Sequence, residues 1–214
     1  MKINTSKNDL KDTGISVSQK DFYNSFVEMG FPNKKKEDWK FTDLDKILNS
    51  NFDQLTPFKE KNNYKHEKIF DFDHYSIINL NGALIGYDLF RKGSTEAAET
   101  LFTEVNHLKD HSIFFGAPYN LTPGRPATET HAKKDQMLSL NLSFVDRGYS
   151  FQICQDLEKP LVIYNYYDYD LKDKMINNTN SIKFKNSKCT IIEVDIDKSK
   201  SAYFKNTFQR YEVQ

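Results

Sequence analysis

Cysteine is scarce in this chain, with Cys154 and Cys189 the two thiols among 214 residues. Two such cysteines make neither a metal knuckle nor a CxxC redox pair. Net charge is missing as well. Thirty basic residues are matched by 30 acidic ones, which leaves no general field to draw in nucleic acid or an anionic membrane. No apolar run approaches the roughly 18 residues that cross a bilayer, and Met1 to Ser18 is polar, with no stretch of signal-peptide length. A cytoplasmic protein with reduced thiols is the expectation. The chain also has no GxxxxGK[ST], GxGxxG or GxSxG motif. Apolar residues make up only 38%, but the aromatic share is 14%. Each Phe or Tyr buries a large area, so a real core with much surface around it is expected.

Residues 1–16 read as a polar tail. A helix follows from Ser18, the expected N-cap, with Asp21 in its first turn and Val17 and Phe22 spaced as a hydrophobic staple. Phe22, Phe26 and Met29 share one face, and Gly30 and Pro32 end the helix. A short second helix is expected from Thr42 through Leu48, and residues 49–68 read as loop. Ile77, Ile78 and Leu80, then Asn81-Gly82, then Ala83 to Ile85 predict a β-hairpin. A helix is expected from about Thr95 to Leu108, a long loop over 112–132, and another helix from about Lys134 to Val145, burying Met137, Leu140 and Phe144. After Gly148 short strands succeed one another: Tyr149 to Cys154, Leu161 to Tyr164, around Ile182 and Phe184, Thr190 to Ile196, and Phe204 to Val213.

Several patterns invite a chemical reading. His107 and His111 stand at i, i+4 with Glu104 one turn earlier, a zinc-chelating spacing. Leu108, however, occupies the position where a metalloprotease carries Glu, so two exposed histidines are the simpler reading. Cys154 and Cys189 lie in apolar strand contexts with no neighbouring His to lower the thiol pKa, and read as packed thiols. Lys34, Lys35 and Lys36 beside Trp39 imitate a nucleic-acid patch. Glu37 and Asp38 interrupt it at once, which favours a solvated face beside a buried tryptophan. Asp168, Asp170 and Asp173 read as a solvated turn rather than the clustered carboxylates of a glycosidase. No catalytic, cofactor-binding or metal-binding residue is expected, and no enzyme.

Two ordered stretches carry a resemblance. Phe31-Pro32-Asn33-Lys34-Lys35-Lys36-Glu37-Asp38-Trp39-Lys40-Phe41-Thr42-Asp43-Leu44 resembles the N-terminal signature of the SufD family: a proline, basic residues, an acidic residue, then Trp-Lys-aromatic-Thr and a leucine. The sister scaffold SufB usually carries a Glu-Pro-x-Trp motif there. Leu140-Asn141-Leu142-Ser143-Phe144, then Asp146-Arg147-Gly148, then Lys159-Pro160-Leu161-Val162-Ile163 resembles the family's helix end, Asp-Gly turn and first solenoid strands. Ile192-Glu193 after Asn186-Ser187 is similar to the next turn, and the hairpin of residues 79–85 matches in character.

That resemblance, over residues 20–214, implies an α+β chain. Its parts are a flexible tail (1–16), an N-terminal helical/α+β region with a β-hairpin (17–146), and the incomplete first strands of a right-handed parallel β-helix (147–214). It implies a non-catalytic scaffold subunit of iron–sulfur cluster assembly that pairs with SufB-like and SufC-like subunits. No cofactor would be bound by this chain; the assembled complex would handle the cluster, with ATP at the SufC subunit. The family's cluster-building histidine has no matching position here. A truncated chain or one part of a split protein is expected, with self-association through an open, apolar solenoid end in residues 180–214. A stand-alone β-solenoid interaction module without a cluster role, and a carbohydrate-acting β-helix protein, are the alternatives.

Overall fold

The computed structural model describes residues 2–3, 18–60, 69–88, 102–104, 134–145, 147–153 and 156–213. Helix α1 (Ser18–Met29) forms where the aromatic stripe predicts it, with Phe22 and Phe26 buried one turn apart. Gly30 ends it at φ +65°, and its N–H donates to the Phe26 carbonyl at 2.7 Å, a left-handed stop that glycine adopts without a Cβ penalty. Helix α2 (Leu44–Asn51) starts from Asp43, one residue beyond the expected Thr42, because the Asp43 carboxylate accepts from the Lys46 N–H. Helix α3 (Gln136–Phe144) is capped in the same way by Asp135, which accepts from the Leu138 N–H at 2.8 Å.

The strands are β1 (Lys2–Ile3), β2 (Gln54–Pro57), β3 (Tyr75–Leu80), β4 (Ala83–Asp88), β5 (Phe102–Glu104), β6 (Gly148–Ile153), β7 (Leu161–Tyr167), β8 (Lys174–Phe184), β9 (Ile191–Asp197) and β10 (Phe204–Val213). The expected hairpin is present: Asn81 and Gly82 both take positive φ, +49° and +80°, the pair of left-handed residues that a two-residue turn requires. Residues 49–68, read as loop, contain β2. Residues 102–104, placed in a helix by their apolar spacing, are strand β5, drawn into antiparallel pairing along β6. The remainder of that helix and the 112–132 loop lie outside the described residues.

The strands make two sheets. In the first the order is β1-β2-β8-β6-β5, with β10 on the other flank of β8. Strand β8 is the seam: β10 runs beside its whole length, from Met175 to Phe184, while β2 and β6 share its opposite side. In the second sheet the order is β4-β3-β7-β9, parallel from β3 to β9 and antiparallel at β4.

This corrects the expected α+β architecture of an N-terminal helical region with a β-hairpin, followed by the opening strands of a right-handed parallel β-helix. Strand β2 and both hairpin strands, β3 and β4, are not a separate N-terminal region but members of the same two sheets as the tail strands. Both sheets are mixed, because β4 folds back through Asn81-Gly82 and β5 adds antiparallel to β6. Among the described residues no sheet closes on itself or forms a solenoid.

Three layers result. Tyr149, Phe151, Ile153, Ile182 and Phe184 of the first sheet meet Tyr75, Ile77, Leu161 and Ile163 of the second in the central core. Phe26 of α1, Phe31, Leu48 of α2, Leu140 and Phe144 of α3 cover the other face of the first sheet around Leu55 and Met175. Burial of each such side chain contributes roughly 1.5–3 kcal/mol before entropy is counted. Val162, Tyr164 and Tyr166 form a third cluster with Leu80 on the outer face of the second sheet.

Candidate functional site: the paired edge of β9 and β10

Strand β9 reads Ile-Ile-Glu-Val-Asp-Ile-Asp, and its period-2 alternation gives it two unlike faces. Ile192, Val194 and Ile196 are half-buried on the outer cluster of the second sheet. Glu193, Asp195 and Asp197 point the other way, toward β10, and are exposed. Each meets a different partner there. The Tyr211 hydroxyl donates to the Glu193 carboxylate, the Lys205 ammonium to Asp195 at 2.5 Å, and the Tyr203 hydroxyl to Asp197 at 3.0 Å. Two of these bonds join β9 to β10, and the third joins it to Tyr203, the residue before β10.

Asp195 also ends a polar row that runs across the second sheet in strict register, Asn79 to Asn165 to Asp195. The Asn79 amide donates to Asn165 at 2.8 Å, and the Asn165 amide to Asp195 at 3.0 Å. Behind it, in the first sheet, Tyr149, Asn180 and Gln209 occupy one row of β6, β8 and β10. The Tyr149 hydroxyl is buried beside the Gln209 and Asn79 amides with bonding geometry to neither. Burial raises the phenols of Tyr149, Tyr167, Tyr203 and Tyr211 above their usual range. The Glu193, Asp195 and Asp197 carboxylates reinforce that shift for those phenols they lie near.

Among the described residues, the backbone of β9 pairs on one side only. Leu161 donates its N–H to the Thr190 carbonyl, and the Lys198 N–H donates to the Tyr167 carbonyl. Groups on alternate residues of a strand point the same way, so even-numbered positions face β7. The N–H and C=O groups of residues 193, 195 and 197 face the opposite side, where no described strand pairs. Strand β10 is likewise paired on one flank, with β8. The end expected to expose an apolar face is therefore lined toward β10 by carboxylates, phenols and one ammonium.

The other sequence-predicted residues do not converge on this edge. Trp39 sits in a single 3-10 turn, Glu37–Trp39, and is half-buried rather than buried. With Lys36 and Asp38 it faces Lys134, Asp135 and Gln136 across an open cleft of about 350 Å³, where cations and carboxylates balance. Lys34 and Lys35 are exposed nearby. Cys189 is half-buried against the central core, and burial pushes its thiol up. Asp168, Asp170 and Asp173 stand in the β7–β8 turn. The Lys172 N–H and the Ser201 hydroxyl both donate to Asp170, which lowers its carboxyl. Cys154, His107 and His111 lie outside the described residues. Among the described residues no group of three or more His, Cys, Asp or Glu is placed to hold a metal ion, and no helix is long and apolar enough to cross a membrane.

Residues that carry the family resemblance occupy joints of the fold. The Asn141 side chain donates to the Asn178 and Asn206 carbonyls and accepts from the Thr179 hydroxyl. The Arg147 guanidinium donates to the Asn81 carbonyl at 3.2 Å and lies 5.2 Å from the Phe58 ring. The β9 row and the Asn79–Asn165–Asp195 ladder were not singled out from the sequence. The alternation at 192–197 signals a strand, but nothing in it says which face meets another sheet. No protein-family model and no curated protein matches the chain.

Proposed function

We propose that this chain is a SufD-like, non-catalytic scaffold subunit of iron–sulfur cluster assembly, acting in the cytoplasm and docking SufB-like and SufC-like subunits. One observation supports the scaffold part: β9 and β10, the last strands of the two sheets, are joined through the side chains of Glu193, Asp195 and Asp197, and among the described residues each pairs with a strand along one flank only. An edge of this kind is a template for strand addition, and its rigidity comes from the layers behind it. The assignment to cluster assembly is supported by the ordered resemblance of residues 31–44 and 140–163 to the SufD family. Its residues Phe31, Asn141 and Arg147 fix the helical layer and the hairpin to the sheets, as expected of a signature that preserves a framework. Cluster and ATP belong to the assembled complex, ATP at the SufC-like subunit.

The test is affinity capture of the tagged full chain from cells that express SufB-like and SufC-like subunits, read by mass spectrometry. Retention of either subunit at high stringency is the expected result. Loss of both overturns the assignment to cluster assembly.

A further inference from the structure

The outer flank of β9, where no described strand pairs, has a chemical pattern as well as outward hydrogen-bonding groups. On one face it sets out Glu193, Asp195 and Asp197, against which the described residues place a single ammonium, Lys205. On the other it sets out Ile192, Val194 and Ile196, half-buried and continuous with the Val162, Tyr164 and Tyr166 cluster. A strand laid beside β9 must match both faces at once, since its own side chains alternate with the same period.

Resting on the reading of this end as a docking edge, we propose that β9 accepts an extended segment of a partner polypeptide in which lysine or arginine alternates with valine, isoleucine or leucine. The cations lie over the three carboxylates, the aliphatic side chains extend the outer cluster, and the backbone bonds the outward N–H and C=O groups of residues 193, 195 and 197. A second copy of this chain fits badly. Antiparallel pairing of β9 with another β9 sets carboxylate row beside carboxylate row, which destabilises a pair directly. Parallel pairing of the two flips one sheet and sets carboxylates beside the aliphatic row.

Fluorescence anisotropy of the full chain with a labelled heptapeptide of alternating lysine and valine tests this. Binding is expected for that peptide, loss of binding for its glutamate-for-lysine counterpart, and loss of binding for the version N-methylated at every residue. The triple variant Glu193→Gln, Asp195→Asn, Asp197→Asn keeps hydrogen-bond acceptors and removes charge. It is expected to bind roughly tenfold more weakly, as three exposed pairs of modest strength predict. High salt is expected to weaken the wild-type chain in the same sense.

Equal binding of the lysine and glutamate peptides, binding that survives N-methylation, or no binding at all overturns the proposal. So does a dimer of the free chain that forms through β9. The subunit capture experiment separates the two readings. Peptide binding without capture removes the cluster-assembly assignment and keeps the edge, whereas capture undiminished in the triple variant removes strand addition and keeps the assignment.

Discussion

Asn141, on α3, donates from its side chain to the main-chain carbonyl of Asn206 on β10, 2.6 Å away, so the helical layer is bonded directly to the last strand of the first sheet. The same carboxamide donates to Asn178 and accepts from Thr179 on β8. Asn141 is 1% exposed, so water has no route to replace these bonds.

Replacing Asn141 with Ala leaves the buried Thr179 hydroxyl without its acceptor and strips the second hydrogen bond from the Asn178 and Asn206 carbonyls, which keep their places in the β8–β10 ladder. A loss of about 2–4 kcal/mol in urea unfolding is expected, given about 1–3 kcal/mol for an unsatisfied buried group, the two further bonds lost and incomplete additivity. Asn49→Ala, on the exposed face of α2, is the control and should shift stability by no more than about 0.5 kcal/mol.

Gly148 and Gly86 predict opposite outcomes for the same substitution. Gly148 has φ +139°, and a Cβ there would sit 1.9 Å from the Thr179 carbonyl oxygen. Thr179 belongs to β8, which is held on both flanks and cannot retreat. Gly148→Ala is expected to cost about 3 kcal/mol or more and to reduce soluble yield. At Gly86 a Cβ meets nothing within 4 Å, so Gly86→Ala should be neutral or slightly stabilising. Thermal melts of the two variants decide the matter.

Alkaline pH should unfold the chain through its buried phenols. In the folded state burial raises Tyr149 above its unfolded value near 10. The unfolded chain therefore releases this proton first. The contribution of Tyr149 is full below pH 10 and falls above it, by about 1.4 kcal/mol per pH unit until the folded phenol itself titrates. Tyr149→Phe is expected to flatten that fall. It also removes a buried hydroxyl that lacks a partner, so it should be neutral or stabilising by about 1 kcal/mol at pH 7. Urea unfolding of both proteins at pH 7, 9, 10 and 11 checks slope and sign together.

Local signals were legible where the chain decides its own shape. The α1 stripe of Phe22 and Phe26 ended by Gly30, and the Asn81-Gly82 turn, need only neighbours in sequence, and each stands where its pattern places it. Strand β2 gave no such signal: four residues, Gln54 to Pro57, become a strand because Thr56 and Pro57 pair with Lys174 and Met175 far along the chain. Strand β5 shows the same override, its apolar spacing fitting a helix until β6 offers a partner. The polar run Asn177 to Asn180 looks unlike a central strand, yet all four residues are buried, and Asn141 on the helical layer meets the bonding needs of Asn178 and Thr179. The carboxylate row of β9 was hidden for a related reason. Its alternation was visible, but its meaning depends on Tyr203, Lys205 and Tyr211 arriving opposite it.

The seam position of β8 also constrains how the molecule is made. As the chain leaves the ribosome, β2 and β6 emerge without the neighbour that will join them: β2 waits for Lys174 and Met175, and β6 for the stretch that ends at Phe184. Contacts so distant in sequence form slowly, and unjoined strands are prone to aggregate meanwhile. Synthesis halted before β8 is finished therefore yields a nascent polypeptide whose first sheet has no middle, a species for chaperones to hold rather than a smaller version of the fold.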